Sequence, residues 1–177
     1  AHIDPTVIIG GILKDSGANS SVGEGNFIVV EADEYDHSFL KFLPTIAVIT
    51  NIEADHLDCY KDLDEIKSAF TEFANKIPFY GHIVLSSDND NNLSILKDIE
   101  KNYLSYGFNS QTDIRATEIV TNDFQTQFSV LIDQKKVGRV QLNVPGQHNI
   151  SNALAAISVG HLLNIDFKIM ARALKKY

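Results

Sequence analysis

Two acidic segments, each at the end of an apolar run, contain the side chains best suited to chemistry. Residues 27–30 lead into Glu31-Ala32-Asp33-Glu34-Tyr35-Asp36, and residues 46–50 lead into Asn51-Ile52-Glu53-Ala54-Asp55-His56-Leu57-Asp58. Carboxylates with one imidazole suit a hard divalent cation and a phosphate-bearing substrate. This pattern therefore indicates a magnesium-type site.

The elements that position these acids are predicted from the β-branched runs before them. Two such runs favour two buried parallel strands, whose carboxyl ends would open into one crevice of an α/β sheet. For Glu31 taken alone, the alternative is that it is only a solvent-exposed residue at the end of a strand. Four acids within six residues weaken that alternative, because like charges repel unless a cation or base compensates them.

His56 is the one imidazole in these segments, and its flanking carboxylates favour a metal-binding role. Asp55 and Asp58 could orient the ring and raise its basicity. An ordinary surface or core histidine remains the alternative. Cys59 follows three residues later, but no second cysteine exists to complete a soft-metal site.

A third group of candidate residues lies in the segment 145–156. Asn149 and Asn152 are three residues apart, so a helix would place them on one face near its first turn. Side-chain amides offer both donors and acceptors, which suits the edge of a purine base. Ordinary N-capping by Asn149 or Ser151 is the alternative.

The remaining pattern predicts an α/β chain with a helical end. Short strands are expected at 6–9, 83–85 and 103–106, a loop at 14–26, and helices at 62–77, around 93–99, at 149–163 and at 166–175. Period-two alternation predicts antiparallel strands at 114–120, 127–132 and 137–144, with a hairpin connection at 133–136. We therefore expect a mostly parallel sheet flanked by helices, with a small antiparallel annex.

Composition restricts the function classes. The 177 residues are 44% hydrophobic and 21% charged, with a net charge of -8. This is typical of a globular domain and argues against a nucleic-acid backbone as the main partner. The single cysteine excludes an internal disulfide and fits a cytoplasmic location. No apolar run is long enough to span a bilayer, and no signal peptide is predicted.

The motifs resemble the central domain of the Mur ligases, which are ATP-dependent amide-bond-forming enzymes of bacterial cell-wall synthesis. The resemblance runs in order through the segments beginning at Glu31, Thr50, Ile77 and Pro145. It is strongest to the members that join L-alanine to UDP-N-acetylmuramate. It implies a Rossmann-like, P-loop-type sheet and a cytoplasmic enzyme that uses ATP and Mg²⁺.

The resemblance also implies roles for single residues. Glu31 would ligate the magnesium that bridges the ATP phosphates, and His56 would ligate a second magnesium near the acceptor carboxylate. Both would be catalytic. His148, Asn149 and Asn152 would contact adenine and ribose. Neither nucleic acid nor membrane is an expected partner.

One element of the family pattern is missing from this sequence. No segment fits G-x-x-x-x-G-K-[ST], so the first strand and the P-loop are not expected within residues 1–177. We expect a fragment of the central domain, without the UDP-binding and amino-acid-binding domains, that is inactive when isolated. A murein peptide ligase, a metal-dependent phosphoesterase-like domain and a non-enzymatic scaffold are the alternatives.

Overall fold

A computed structural model describes residues 3–13, 17–55 and 58–176. The chain divides into two compact units, Ala1–Phe42 and Leu43–Tyr177. His56, one of the predicted metal ligands, lies outside the described residues. Within those residues, no helix combines the length and the apolar composition needed to cross a bilayer.

The first unit contains a three-stranded sheet. Its strands are β1 (Thr6–Ile8), β2 (Ser20–Ser21) and β3 (Ile28–Val30), in the order β2-β1-β3, and a 3-10 turn follows at Ser38–Lys41. β1 pairs with β3 in parallel and with β2 in antiparallel orientation. β2 lies within the segment predicted as a loop.

The prediction of a buried strand is wrong for β3. β3 belongs to the small sheet, whereas β4 (Ile46–Ile49) belongs to a six-stranded sheet. Ile28 and Val29 are 69% and 52% exposed. The physical reason is that β3 pairs only with β1, and the described part of the first unit contains no α-helix to cover it.

The second unit is built on a six-stranded sheet in the order β4-β5-β6-β7-β8-β9. Pairing is parallel from β4 to β7 and antiparallel from β7 to β9. The strands after β4 are β5 (His82–Ser86), β6 (Tyr103–Gly107), β7 (Ile114–Thr121), β8 (Thr126–Ile132) and β9 (Lys135–Leu142). The predicted antiparallel strands are confirmed, and they continue the parallel sheet beyond β7.

The predicted helices are confirmed. They are α1 (Leu63–Asn75), α2 (Asp90–Ile95), α3 (Gln147–Leu162) and α4 (Phe167–Leu174), and a 3-10 turn, Leu96–Asp98, follows α2. Asp62 caps α1 by accepting the Glu65 N–H at 3.0 Å, as the acidic start of this segment favours. Ile66 and Phe73 of α1 are buried, in agreement with the helical spacing of its apolar residues.

One core of the second unit lies between the sheet and the two C-terminal helices. Val84 of β5 and Phe128 of β8 meet Leu154 of α3 and Met170 of α4 in this cluster. Ile83 and Leu85 alternate with Val84 and are also fully buried, so β5 is covered on both faces. A strand buried on both faces is typical of parallel α/β sheets.

Candidate functional site

The carboxyl ends of β4, β5 and β6 lie at one edge of the six-stranded sheet, because these three strands are parallel. We call this the carboxyl edge and the opposite one the amino edge. In open α/β sheets the carboxyl edge is where ligands bind. The chain segments that leave it are Thr50 onward, Ser87–Asn89 and Phe108 onward.

Helix α3 runs antiparallel to these strands and begins at the carboxyl edge. Ser151, near the start of α3, lies beside the hydroxyl of Tyr106 close to the end of β6. His161, in the last turn of α3, instead lines a cavity with His82 and Tyr103, the first residues of β5 and β6. The first turn of α3 therefore lies at the edge where the parallel strands end.

The structure brings the three predicted nucleotide-binding residues together on the first two turns of α3. His148 and Asn152 are exposed, and Asn149 is half-buried. On a helix, residues three or four apart have Cβ atoms about 5–6 Å apart. The three side chains therefore form one polar patch at the carboxyl edge.

N-capping by Asn149 or Ser151, the alternative reading of this segment, is wrong. The N-cap residue is Gly146, at a φ of 109°, and no side chain caps the helix. Asn149 instead donates its Nδ2 to the carbonyl of Pro145 at 2.7 Å. A Cβ on Gly146 would lie 2.9 Å from Cε1 of His148, so glycine is needed both for the backbone angle and for the close approach of the imidazole.

Glu31, in the first unit, is held by the backbone that follows β1. Its Oε2 accepts the Gly10 N–H at 2.7 Å, and its own N–H donates to the Ile8 carbonyl at 2.9 Å. A carboxylate fixed by one backbone hydrogen bond and exposed to solvent fits a magnesium ligand, since Mg²⁺ usually takes one or two protein carboxylates together with phosphate oxygens and water.

Two of the neighbouring acids have purely local partners. Asp33 accepts the Tyr35 N–H and Asp36 accepts the Ser38 N–H, each at 2.9 Å. The hydrogen bonds from Ser38 also hold the pKa of Asp36 below its usual value. These two acids therefore stabilise the turn after β3. This leaves Glu31 as the better-supported candidate among them.

Three polar residues near the carboxyl edge were not singled out from the sequence. Asn91 and Asn92 of α2 donate their side-chain amides to backbone carbonyls after β4. Asp88 accepts the Phe108 N–H at 3.0 Å with Oδ1 and at 3.2 Å with Oδ2. Partial burial raises the pKa of Asp88, and the Phe108 hydrogen bond opposes that rise. The polar run 86–92 directly after β5 was the available signal.

Tyr106, close to the end of β6, has a buried hydroxyl near the carboxyl edge. Its side chain is 0% exposed, and its hydroxyl lies near Ser151 and Ser86 without a well-aligned hydrogen bond to any described residue. Burial raises the pKa of Tyr106 to about 12, so the phenol stays protonated at neutral pH. Within the described residues, no three or more His, Cys, Asp or Glu side chains group to hold a metal.

The comparison with known families decides where the chain belongs. The family described as the Mur ligase middle domain matches residues 15–160. This chain belongs to the Mur ligase middle-domain family. The resemblance noted in the motifs is thereby confirmed, and so is the α/β fold that it implied.

Similar curated proteins extend the family match to nearly the whole chain. The UDP-N-acetylmuramate–L-alanine ligase of Desulfatibacillum aliphaticivorans is 48% identical over 173 residues, which is 98% of this chain and 38% of that protein. The corresponding ligase of Geotalea daltonii is 49% identical over 175 residues, 99% of this chain and 38% of that protein. This Mur ligase middle domain thus spans about two fifths of the length of the relatives that it matches.

Solved structures share its fold. A Neisseria meningitides UDP-N-acetylmuramate:L-alanyl-gamma-D-glutamyl-meso-diaminopimelate ligase matches with a TM-score of 0.85 and 28% identity, over 99% of this chain and 58% of that one. A Thermotoga maritima UDP-N-acetylmuramate-alanine ligase matches with a TM-score of 0.84 and 26% identity, over 99% of this chain and 39% of that one. Both structures therefore place this Mur ligase middle domain in the same fold.

Proposed function

We propose that the chain is the nucleotide-binding part of an ATP- and Mg²⁺-dependent enzyme that joins L-alanine to UDP-N-acetylmuramate in the cytoplasm, during peptidoglycan synthesis. The observation that carries this proposal is the identity of 48% over 98% of the chain to a ligase of that name. The polar carboxyl edge of the six-stranded sheet supports it, because this is the position of ligand sites in α/β folds.

The proposed chemistry requires cations between anionic groups. A carboxylate is a poor acyl donor, so it would first take the γ-phosphoryl group of ATP, with ADP leaving, to become an acyl phosphate. The alanine amine would then attack the acyl carbon, so that the C–N bond forms as phosphate leaves and the amine loses a proton, and magnesium would offset the repulsion between the anionic groups. Glu31 would bind magnesium through a carboxylate that the Gly10 N–H orients at 2.7 Å. His56 is proposed as the ligand of a second magnesium, near the acceptor carboxylate.

The first turn of α3 is the proposed contact surface for adenine and ribose. Asn152 is exposed there, and the Pro145 carbonyl fixes one end of the Asn149 amide at 2.7 Å. The exposed imidazole of His148 directly precedes Asn149 on this helix. Amide and imidazole groups offer both donors and acceptors, which suits the edge of a purine base and the ribose hydroxyls.

The test uses the complete natural protein that contains this sequence. With UDP-N-acetylmuramate, L-alanine, ATP and Mg²⁺, we expect an alanyl product and phosphate in equal amounts. Asn152→Ala should raise the KM for ATP about tenfold, which corresponds to one hydrogen bond of about 1.4 kcal/mol. Asn102→Ala, at an exposed asparagine of the amino edge, is the matched control and should leave the KM unchanged.

Two results would contradict this function. Phosphate release that needs no amino acid and is lost in His56→Ala would indicate a metal-dependent phosphoesterase. Ligation of a preformed tripeptide in place of L-alanine would favour a murein peptide ligase. The latter is the second candidate because the Neisseria meningitides ligase, whose name includes such a peptide, matches with a TM-score of 0.85. Direct competition between alanine and tripeptide distinguishes the two.

A further inference from the structure

Two consecutive asparagines of α2 tie the chain that leaves β4 to the sheet. Asn92 donates its Nδ2 to the Thr50 carbonyl at 3.1 Å and to the Ser86 carbonyl at 3.0 Å. Asn91 donates its Nδ2 to the Ile52 carbonyl at 2.8 Å. Both hydrogens of the Asn92 amide are therefore used to join the ends of two neighbouring strands. We call these two side chains the amide clamp.

Asn92 is a polar side chain at a fully buried position. Its side chain is 0% exposed, and its Oδ1 has no hydrogen-bond partner among the described residues. A buried acceptor without a partner costs about 1–3 kcal/mol, which the two hydrogen bonds donated by Nδ2 offset. An unsatisfied buried group in a native structure calls for an explanation, and holding two strand ends in a fixed geometry is one.

The amide clamp restrains the backbone of one segment, residues 50–53. Thr50 and Ile52 are held by α2, and between them Asn51 donates its Nδ2 to Oε1 of Glu53 at 2.9 Å. The backbone and the side chains of this segment are thus restrained at the carboxyl edge. The chain then continues through Asp55 to His56, the proposed magnesium ligand, four residues beyond Ile52.

We propose that Asn91 and Asn92 are positioning residues for the ligase reaction, since they fix the segment 50–53 from which His56 follows. The inference rests on the proposed function. Neither side chain needs to touch substrate or metal to have this effect. Misplacing a catalytic group by about 1 Å can lower the rate about a hundredfold, so a restraint this close in sequence to His56 affects turnover more than it affects folding.

The experiment compares three variants of the complete natural protein. Asn92→Leu keeps the number and branching of the side-chain heavy atoms but removes the amide, and Asn91→Ala removes the second half of the clamp. Asn75→Ala is the matched control, because Asn75 donates to the Asp98 carbonyl at 2.9 Å and accepts the Glu100 N–H at 3.0 Å in a similar clamp near the amino edge. Amide hydrogen exchange, kcat, the Mg²⁺ dependence of the rate and the Tm are measured for each.

We expect Asn92→Leu and Asn91→Ala to remain folded, with faster exchange of the backbone amide hydrogens in residues 50–55. Their kcat should be at least about tenfold lower, and they should reach half-maximal activity at a higher Mg²⁺ concentration. Asn75→Ala should exchange faster only around residues 96–102, with kcat and Mg²⁺ dependence unchanged. If Asn92→Leu does not fold, Asn91→Ala alone decides the outcome, since Asn91 is only half-buried.

Two results overturn the proposal. In the first, the folded variants exchange like the unaltered protein in residues 50–55. In the second, they exchange faster but keep kcat and Mg²⁺ dependence within about twofold, which would reduce the clamp to a structural role. Absence of ligation by the unaltered protein would contradict the proposed function itself, and with it any role of the clamp in that reaction.

Discussion

The parallel and antiparallel halves of the six-stranded sheet use their polar side chains differently. In the parallel half, several polar groups at the strand ends bind backbone: Asn92 reaches two carbonyls, and Asp88 accepts the Phe108 N–H. In the antiparallel half, polar groups bind one another across strands, as Ser129 and Lys136 do with Glu118.

This difference follows from how the strands are connected. Parallel strands all end at the carboxyl edge, and the crossovers from β4 to β5 and from β5 to β6 leave there and return to the amino edge. The segments that follow successive strands therefore collect at the carboxyl edge. Antiparallel strands can be joined by short hairpins, so no comparable group of loops forms. The comparison explains why the candidate site lies in the half of the sheet that carries β4, β5 and β6.

Two glycines, one in each half, give the largest expected effects. A Cβ on Gly138 of β9 would lie 2.4 Å from Cε1 of Phe167, and a Cβ on Gly107 of β6 would lie 2.5 Å from Oδ2 of Asp88. We expect Gly138→Ala and Gly107→Ala each to lower the free energy of unfolding by about 1–3 kcal/mol, because both overpack their sites. Urea denaturation measures the change.

The two substitutions should differ in their effect on activity. Gly107→Ala displaces Asp88 and the loops of the carboxyl edge, so turnover of the complete protein should fall as well. Gly138→Ala disturbs only the packing of α4 on β9, so its turnover should stay unchanged below the melting temperature. Equal losses of turnover would contradict the division of roles between the two halves.

A smaller effect concerns pH. Burial raises the pKa of Asp88, so the stability linked to this group is present at low pH and is lost as the pH rises through its folded pKa. The hydrogen bonds from Lys136 and Ser129 lower the pKa of Glu118, so its contribution is present at neutral pH and is lost as the pH falls through its folded pKa.

The neutral isosteres should therefore show opposite trends. As the pH rises from about 3 to about 7, the free energy of unfolding of Asp88→Asn should increase relative to that of the unaltered protein. Over the same range, the free energy of unfolding of Glu118→Gln should decrease relative to that of the unaltered protein. Thermal unfolding at both pH values measures this. Trends of the same sign in the two variants would show that the two carboxylates occupy equivalent environments.

Removing one hydroxyl from each half gives the smallest effects. Tyr106→Phe should change the free energy of unfolding by less than about 1 kcal/mol, because the buried hydroxyl has no well-aligned partner to lose. Ser129→Ala should cost about 1 kcal/mol, since its hydroxyl donates to Glu118 at 2.7 Å. A larger loss in Tyr106→Phe would mean that its hydroxyl is hydrogen-bonded in solution.

Local sequence patterns predicted the helices and most of the strands, though not β2, and they did not predict every strand neighbour. Apolar spacing predicted α1, and period-two alternation predicted the strands of the antiparallel half. The assignment of β3 and β4 to different sheets could not be predicted in this way, because apolar runs specify burial and do not specify a pairing partner.

The candidate site shows the same limit. The exposed polar face of α3 followed from the spacing of Asn149 and Asn152, since helical geometry alone places them together. The targets of Asn92 could not be predicted, because they are main-chain carbonyls and one of them lies 42 residues earlier in the chain. Carbonyl groups occur in every residue and leave no mark in a sequence.

The turn between β8 and β9 has a consequence for the order of assembly. Asp133 and Gln134, with φ of 48° and 63°, form a two-residue connection in which both residues are left-handed. Closing so short a loop costs little chain entropy, whereas pairing β4 with β5 closes the much longer segment from Thr50 to Gly81. Hairpins form within about 1–10 μs, so the antiparallel half is the part of the sheet that can serve as a template onto which the functional half folds.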